Sequence, residues 1–309
     1  MLKLIKWIFL FLPALIWFTF RHYHNVWWME NVSSIPIFIL FIYLFLFVIL
    51  VIFHHWLKAI ASVIAVGYFS SLLLPSEVNI RETCKKSLSI VQFNLFYENP
   101  DVNQFINYLL RHPADLVIIQ EVSQQAGDKL RSLDDIYPFY YKGHHGVGYS
   151  SNQMILSRYP VDPISTYHIL GSDMIIRALW RVDGEVITLI IAHAPSPRTE
   201  VLWEKRNALI RNIEVYTELY PASEMIIVGD FNLSAASPRY NKLFPRFQSQ
   251  PVASWPSSIK KVLIPTFTMI GIDHLWIKSD NVSRTICSRT STNQAGRSDH
   301  RLVTTIIGM

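Results

Sequence analysis

The sequence predicts an α/β domain of two mixed β-sheets flanked by helices, preceded by two or three membrane-spanning helices. Three observations support this. Half of the residues are hydrophobic and the mean hydropathy is +0.24, with the excess concentrated before residue 75. Beyond that point, segments with strand and helix patterns alternate. Short strands outnumber helices there and lie a hairpin length apart, which favours mixed or antiparallel sheets over one doubly wound sheet.

The amino-terminal part is predicted to be a membrane anchor over residues 1–78, with helices at 2–20, 35–53 and 57–74. The middle stretch carries no charge over 19 positions, close to the roughly 20 residues that cross a bilayer. A signal peptide would also begin with basic and apolar residues, but no clear small-residue cleavage site follows. We therefore expect an uncleaved anchor with three crossings, and two crossings are the alternative.

The orientation of this anchor follows from its basic residues. Lys3 and Lys6 favour a cytoplasmic amino terminus. Three crossings then place the globular domain on the extracytoplasmic side, whereas two crossings would reverse that.

A polar linker is predicted at 79–86, and the domain proper occupies 87–309, which is long enough for a substantial core. The only cysteines are Cys84 and Cys287. Their spacing indicates neither a zinc site nor a disulfide framework, and whether they pair stays open. A net charge of +5 is small for a tight nucleic-acid binder.

Each element is predicted from its residue pattern. Continuous apolar runs bounded by turn residues are typical of buried strands, and apolar residues at helical spacing indicate helices. Asp101 can cap the first helix. The predicted strands are SLSIVQFN (87–94), ADLVIIQEV (114–122), FYYKG (139–143), NQMILSR (152–158), DMIIRALWRVD (173–183), EVITLIIAHA (185–194), EMIIVGD (224–230), IDHLWIKS (272–279) and RLVTTIIG (301–308). The predicted helices are 101–112, 123–133 and 198–220.

Polar side chains recur at the ends of these strands. Asp230 and Asn232, two positions apart on a segment expected to be extended, are predicted to point to the same side. Taken singly, such residues are ordinary turn formers or surface groups. The full set is Asn94, Glu121, His193, Asp230, Asn232, Asp273, Asp299 and His300.

Together these residues match the needs of metal-assisted attack of water on a phosphate. Carboxylate oxygens bind Mg²⁺, which keeps several of its waters. A histidine beside a carboxylate can stay charged or protonate a leaving group, and an Asn amide can donate to developing negative charge. The chain has no Walker A loop, and the glycine-rich GHHGVG (143–148) follows no strand–helix pattern.

In order, VQFNLF, IIQEV, NQMILSRYP, IIAHAP, IVGDFNLSAASP, GIDHLWI and GRSDHRLV resemble the motifs of the endonuclease/exonuclease/phosphatase superfamily. That superfamily includes pancreatic deoxyribonuclease, abasic-site endonucleases and neutral sphingomyelinases. The resemblance covers about residues 86 to 307. It implies a four-layer α/β/β/α sandwich, and the apolar segments ahead of it look like a bacterial membrane-anchored branch.

The resemblance also implies residue roles. Glu121, with Asn94 and Asp299 beside it, would bind Mg²⁺ or Mn²⁺. Asp230 would orient or deprotonate the attacking water, and Asn232 would steady the transition state.

The remaining implied roles belong to histidines. His300 would contact the scissile phosphate, held in tautomer and charge by Asp273. His193 would be the general acid for the leaving oxygen.

We therefore expect a hydrolase of phosphodiesters, embedded in the bacterial inner membrane as a monomer. Nucleic acid is the first substrate expected, and a lipid head group or small phosphoester is the alternative. A catalytically inactive interaction module is the third. Arg198, Lys260 and Lys261 are the few basic residues expected near the site, and the loop at 254–267 suits either substrate class.

Overall fold

The computed structural model of the protein describes residues 2–80, 84, 86–97, 99, 101–142, 153–169, 173–259 and 262–309. The glycine-rich stretch 143–148, Lys260 and Lys261 lie outside the described residues. The chain divides into two compact units. A helical unit comprises Met1–Leu74 and Leu233–Leu243, and a sheet unit comprises Pro75–Asn232 and Phe244–Met309. The domain boundaries drawn from the sequence stay a prediction.

Four helices form in the amino-terminal part of the helical unit. They are α1 (Leu2–His22), α2 (Trp27–Ser33), α3 (Ile37–Ile52) and α4 (Trp56–Ser70). Trp17, Leu40, Tyr43 and Phe69 are buried in one apolar cluster. The Tyr43 hydroxyl donates to the Leu10 carbonyl at 3.1 Å, so the one polar atom of this large side chain is satisfied.

Among the described residues, no single helix has both the length and the apolarity to cross a membrane. Only α2 and α3 taken together reach that length and composition, and they are bent by 56° at the break between them. The two or three membrane crossings therefore stay a prediction.

In its described residues, the sheet unit contains three α-helices and two mixed sheets. The helices are α5 (Val102–Arg111), α6 (Gln124–Leu130) and α7 (Glu200–Leu219). The strands are β1 (Glu77–Asn79), β2 (Ser87–Asn94), β3 (Leu116–Gln120), β4 (Phe139–Lys142), β5 (Gln153–Ser157), β6 (Val161–Ile169), β7 (Asp173–Val182), β8 (Glu185–His193), β9 (Met225–Asp230), β10 (Gln248–Ser249), β11 (Ser258–Ile259), β12 (Val262–Leu263), β13 (Asp273–Lys278), β14 (Ile286–Thr292) and β15 (Leu302–Gly308).

Within the described residues, the first sheet has the order β1-β14-β15-β2-β3-β5-β4 and the second has the order β10-β13-β9-β8-β7-β6. Each sheet contains one parallel pair, β2 with β3 and β8 with β9, among antiparallel neighbours. The strands β11 and β12 form a separate hairpin. The prediction of two mixed sheets flanked by helices is confirmed.

The core follows the alternation of side chains along each strand. Ile90 and Ile118 contribute to one buried cluster together with residues of the second sheet, such as Trp180 and Val228. Their chain neighbours, Val91 and Ile119 among them, contribute to a second cluster that includes Phe105 and Leu109 of α5. The first sheet is thus buried on both faces, which explains its nearly continuous apolar runs.

One sequence expectation differs from the structure, and one question that the sequence left open is answered. Asp101 stands at the start of α5, but its side chain makes no capping hydrogen bond. Instead its backbone N–H donates to the Asn99 side chain at 3.0 Å. The cysteines, left open by the sequence, form a disulfide between Cys84 and Cys287, whose Cα atoms lie 6.4 Å apart.

Candidate active site

The two parallel strand pairs bring the predicted residues to one end of the sheets. Asn94 ends β2, and Glu121 directly follows its parallel neighbour β3. In the other sheet, His193 and Asp230 face each other in register at the carboxyl ends of β8 and β9. Asp273 opens the antiparallel β13 directly opposite Asp230. Carboxyl ends of strands are where α/β folds commonly place ligands.

Asp230 lies at the centre of the group and is fully buried. The Asn94 amide nitrogen donates to it at 3.1 Å and to Glu121 at 3.0 Å, so one amide joins the two sheets. Burial raises the pKa of Asp230 to about 7, and the charge of Asp273 adds to this rise against the opposing charge of His300. A carboxylate with such a pKa exchanges protons near neutral pH, as a general base should.

Asn232 reaches Asp230 by a turn and not by strand alternation, so the prediction of an extended segment is wrong. β9 ends at Asp230, and Asn232 has a left-handed φ of 47°. Its backbone N–H donates to the Asp230 carboxylate at 2.9 Å, which is an Asx turn. Its side-chain nitrogen donates to the Ala194 carbonyl at 2.9 Å and to Asp230 at 3.3 Å. The turn brings the two side chains together.

His300 and Asp273 form a buried pair. The Nδ1 atom of His300 lies 2.9 Å from the Asp273 carboxylate, and its Nε2 atom lies 3.7 Å from that of Asp230. Burial opposes the charged imidazole, but Asp273 and Asp230 outweigh it and raise the pKa of His300 to about 10. Burial alone would raise the pKa of Asp273, yet the charge and hydrogen bond of His300 hold it below its usual range. His300 is therefore a cation facing Asp230 at neutral pH.

His193 stands between the other two carboxylates. Its Nε2 atom is 3.7 Å from Glu121 and 3.9 Å from Asp230. Burial lowers the pKa of His193 despite the opposing charge of Glu121. The imidazole is thus neutral without substrate, and a bound phosphate anion would favour its protonated form.

Asp299 is held at the same end of the first sheet, just before β15. The indole nitrogen of Trp255 donates to its carboxylate at 3.0 Å, and the backbone N–H of Ser257 donates to its carbonyl at 2.7 Å. The neighbouring Ser298 hydroxyl donates to the Asn94 carbonyl at 2.7 Å. These contacts link the SDH motif to β2 and to the loop that carries Trp255.

Two sets of residues compete as a divalent-cation site. In the described part of the chain, Asp230, Asp273 and His300 bring ligand atoms within 4.8 Å of one another. A charged His300 has no lone pair for a metal, however, and Asp273 is already its ion-pair partner. Glu121 is more accessible, with a side chain that is 22% exposed.

The second set fits a hard cation better. It comprises Asn94, Glu121 and Asp299, and the Glu121 carboxylate, which accepts from the Asn94 amide, offers the oxygen ligands that a hard divalent cation takes. The Asn94 oxygen accepts from the Phe96 N–H at 3.0 Å, so the nitrogen of this amide faces Glu121. Direct ligation by Asn94 would therefore require its amide to turn over. Its role as a metal ligand, with Glu121 and Asp299, stays a prediction.

Sequence reasoning missed several residues that hold the site. The Ser254 hydroxyl accepts from the Asp273 N–H at 3.3 Å. The guanidinium of Arg289 donates to the Asp273 carbonyl at 2.9 Å, and that of Arg206 donates to the Asn232 carbonyl at 3.1 Å. Both arginines are almost fully buried. In the sequence they look like ordinary surface arginines, because the carbonyls that accept their hydrogen bonds are brought near by the tertiary fold.

His274, which shares β13 with Asp273, does not join the group. It is buried between aromatic rings, with centroids 6.2 Å from Phe231 and 5.1 Å from Trp276. Side-chain alternation explains the difference, because neighbours on a strand face opposite sides.

Comparison with known proteins supports the same family as the motifs. Residues 91–300 match the Endonuclease/Exonuclease/phosphatase family. No curated protein matches the chain by sequence. The fold is similar to that of D. rerio TDP2 complexed with a single-strand DNA product, at 16% identity and a TM-score of 0.59 over 73% of this chain and 100% of that one.

Two bacterial structures are similar to a comparable extent. Beta toxin from Staphylococcus aureus has a TM-score of 0.56 at 17% identity, over 71% of this chain and 99% of that one. Sphingomyelinase C from Streptomyces griseocarneus has a TM-score of 0.53 at 15% identity, over 73% of this chain and 100% of that one. At these identities the likeness concerns the fold.

Proposed function

The chain belongs to the Endonuclease/Exonuclease/phosphatase family, and we propose that it is a membrane-anchored, divalent-metal-dependent phosphodiester hydrolase with nuclease-like activity. Members of this family are metal-dependent phosphoesterases. The observation that carries the proposal is the buried contact of Asp230 with Asn94, Asn232 and His300, residues that come from both sheets. An inactive interaction module would have no need to keep a buried carboxylate with a pKa near neutral.

The proposed reaction begins at Asp230. Its carboxylate takes a proton from a water molecule whose oxygen attacks phosphorus. The bond from phosphorus to the leaving oxygen breaks, and His193, protonated in the presence of the anionic substrate, returns a proton to that oxygen. His300 carries the positive charge that binds a non-bridging phosphate oxygen, and Asn232 donates to the charge that develops there.

Glu121 and Asp299, with Asn94, are the residues proposed to hold Mg²⁺ or Mn²⁺. Bound there, such an ion would neutralise charge on the phosphate as a Lewis acid. The protein's own part is to keep Glu121 accessible while the neighbouring Asp230, Asp273 and His300 stay buried and fixed in position.

Phosphodiester substrates of two kinds are compatible with the site. The nuclease reading is supported by the exposed Arg198, which could contact a phosphate backbone. A lipid phosphoesterase is the second candidate, because exposed apolar residues follow the loop that carries Trp255, the donor to Asp299. Val262 and Leu263, on β12, are 67% and 63% exposed, as expected of a surface that contacts lipid.

The membrane anchor and an extracytoplasmic location complete the proposal. Structural disulfides persist in oxidising compartments and are rare in the cytoplasm. The disulfide between Cys84 and Cys287 therefore supports placement outside the bacterial inner membrane. Apolar helices α1, α3 and α4 support the anchor by composition.

The test uses the full-length chain in detergent micelles, assayed on bis-p-nitrophenyl phosphate, supercoiled plasmid and sphingomyelin vesicles, with Mg²⁺, Mn²⁺ or EDTA. Asp230→Asn and His300→Asn should each lower turnover at least 100-fold, since they remove the base and the phosphate-binding cation. The matched control is Asp162→Asn, whose carboxylate is exposed and pairs only with Arg181 at 2.6 Å among the described contacts. It should keep wild-type turnover.

Substrate preference decides between the two candidates. A double variant, Val262→Ser with Leu263→Ser, should leave plasmid cleavage intact if the protein is a nuclease. Selective loss on vesicles, with bis-p-nitrophenyl phosphate hydrolysis unchanged, would favour the lipid candidate. Turnover that persists in EDTA or in Asp230→Asn would contradict the proposed mechanism.

A further inference from the structure

Glu30 is the only acidic residue among residues 1–74. It lies on the short helix α2 and is only 1% exposed. Burying a carboxylate is unfavourable unless it is paired and hydrogen-bonded. A single buried acid in an otherwise apolar and basic stretch therefore needs specific partners.

Those partners lie about 200 residues later, on the segment Leu233–Leu243, which belongs to the same compact unit. The Ser237 hydroxyl donates to the Glu30 carboxylate at 2.7 Å, and Arg239 Nε donates to it at 3.4 Å. Ser237 is fully buried, and the Arg239 side chain is largely so. Removing Glu30 would leave both donors without this acceptor.

Two further contacts attach the same segment to the amino-terminal helices. Arg21 of α1 donates to the Ala236 carbonyl. The Ser234 hydroxyl donates to the Ser34 carbonyl, directly after α2, at 2.9 Å. These contacts involve residues between 234 and 239, so Leu233–Leu243 is attached at several points and not by one bond.

This segment begins immediately after Asn232, with no linker. Asn232 has a left-handed φ, a conformation that is uncommon for residues other than glycine, although asparagine adopts it more readily than most. Within the sheet unit, the Arg206 guanidinium donates to the Asn232 carbonyl. After Asn232 the chain continues directly into Leu233–Leu243, the segment that contacts Glu30.

We propose that Glu30 is a positioning residue for hydrolysis: by fixing Leu233–Leu243 it restrains the turn that carries Asn232. The helical unit would then contribute to turnover as well as to attachment. This inference rests on the proposed function of the site.

The test compares Glu30→Ala and Glu30→Gln with Glu218→Gln, a matched change at an exposed position of α7. Full-length proteins in detergent are digested briefly with trypsin, which cuts after Arg239 and Lys242 in the segment. Glu30→Ala should be cut there at least 10-fold faster than the wild type, since the segment opens more often. Glu30→Gln should be intermediate, because its amide oxygen still accepts from Ser237.

Kinetics on bis-p-nitrophenyl phosphate supply the second readout. Glu30→Ala should lower kcat at least 5-fold with KM changed less than 2-fold, and Glu30→Gln should recover part of kcat. Unchanged cleavage, or faster cleavage with unchanged kcat, would overturn the positioning role. An inactive wild type would overturn the proposed function and this role together, and faster cleavage of Glu30→Ala would then show the contact to be purely structural.

Discussion

The charge of His300 depends on the carboxylates beside it. Its pKa of about 10 means that the charged form stabilises the fold fully below its ordinary value near 6.5 and that this stabilisation is lost as the pH rises through about 10. The lowered pKa of Asp273 works in the other direction, since its contribution is present above its ordinary value of 3.8 and is lost in acid. The ion pair therefore stabilises the fold most between about pH 3.8 and pH 6.5, where both contributions are present.

Replacing Asp273 by Asn should remove most of the stabilisation that the His300–Asp273 pair provides. We expect the difference in melting temperature between the wild type and Asp273→Asn to be largest near pH 6 and to narrow towards pH 10, as His300 loses its proton in the wild type. Differential scanning fluorimetry across this range measures it. Asp162→Asn, at an exposed ion pair, should show a small difference that is nearly constant with pH. A constant difference for Asp273→Asn would contradict the assigned charge of His300.

Gly229 explains why a glycine precedes Asp230 in the GDFN motif. On β9 it has a φ of +153°, and a Cβ atom at this position would collide with the backbone of Ala192 on the neighbouring strand β8. Backbone atoms cannot move aside without separating β8 from β9. These are the strands that end in His193 and Asp230.

Gly229→Ala should therefore reduce stability and turnover together. We expect a loss of roughly 1–3 kcal/mol in the free energy of unfolding from overpacking, measured by thermal denaturation beside kcat. Gly184→Ala is the matched control, since Gly184 also has a positive φ, of +85°, but no atom lies within 4 Å of the added Cβ. It should lose only the cost of its positive φ, about 1–2 kcal/mol, without the overpacking contribution, and keep its activity. Equal losses for the two variants would count against the steric explanation.

Whether a strand could be predicted from the sequence depended on how apolar its residues are. β3 and β9 are buried along their whole length, so their apolar runs were visible in the sequence. β14 was missed because most of its residues, ICSRTST, are polar even where they are buried. Arg289 is buried there, and its guanidinium donates to Thr305, Gln250 and Asp273.

The residues of the candidate site also differ in how far the sequence predicts them. Its strand-end residues could be predicted, because family motifs mark them and parallel strands bring their ends together. The Asx turn at Asn232 is local, and an Asp and an Asn after a strand already indicate such a turn as the alternative to an extended segment. The Trp255 bond to Asp299 and the partners of Glu30 could not be predicted, because each joins residues that are far apart in the sequence. Such contacts leave no periodic pattern in a single sequence.

For the whole molecule, the disulfide offers a direct test of the proposed extracytoplasmic location of the sheet unit. The chain has two cysteines, so Cys287→Ser leaves Cys84 as its only thiol, and Cys84 is partly exposed. An extracytoplasmic unit should be labelled by a membrane-impermeant maleimide in intact bacterial spheroplasts, whereas the wild type should react only after reduction because its cysteines are paired. The Cys84→Ser, Cys287→Ser double variant controls for labelling of other groups.

Labelling of Cys84 only after lysis would place the unit in the cytoplasm and favour two crossings over three. A wild type that reacts without reduction would show that the pair is open in the cell.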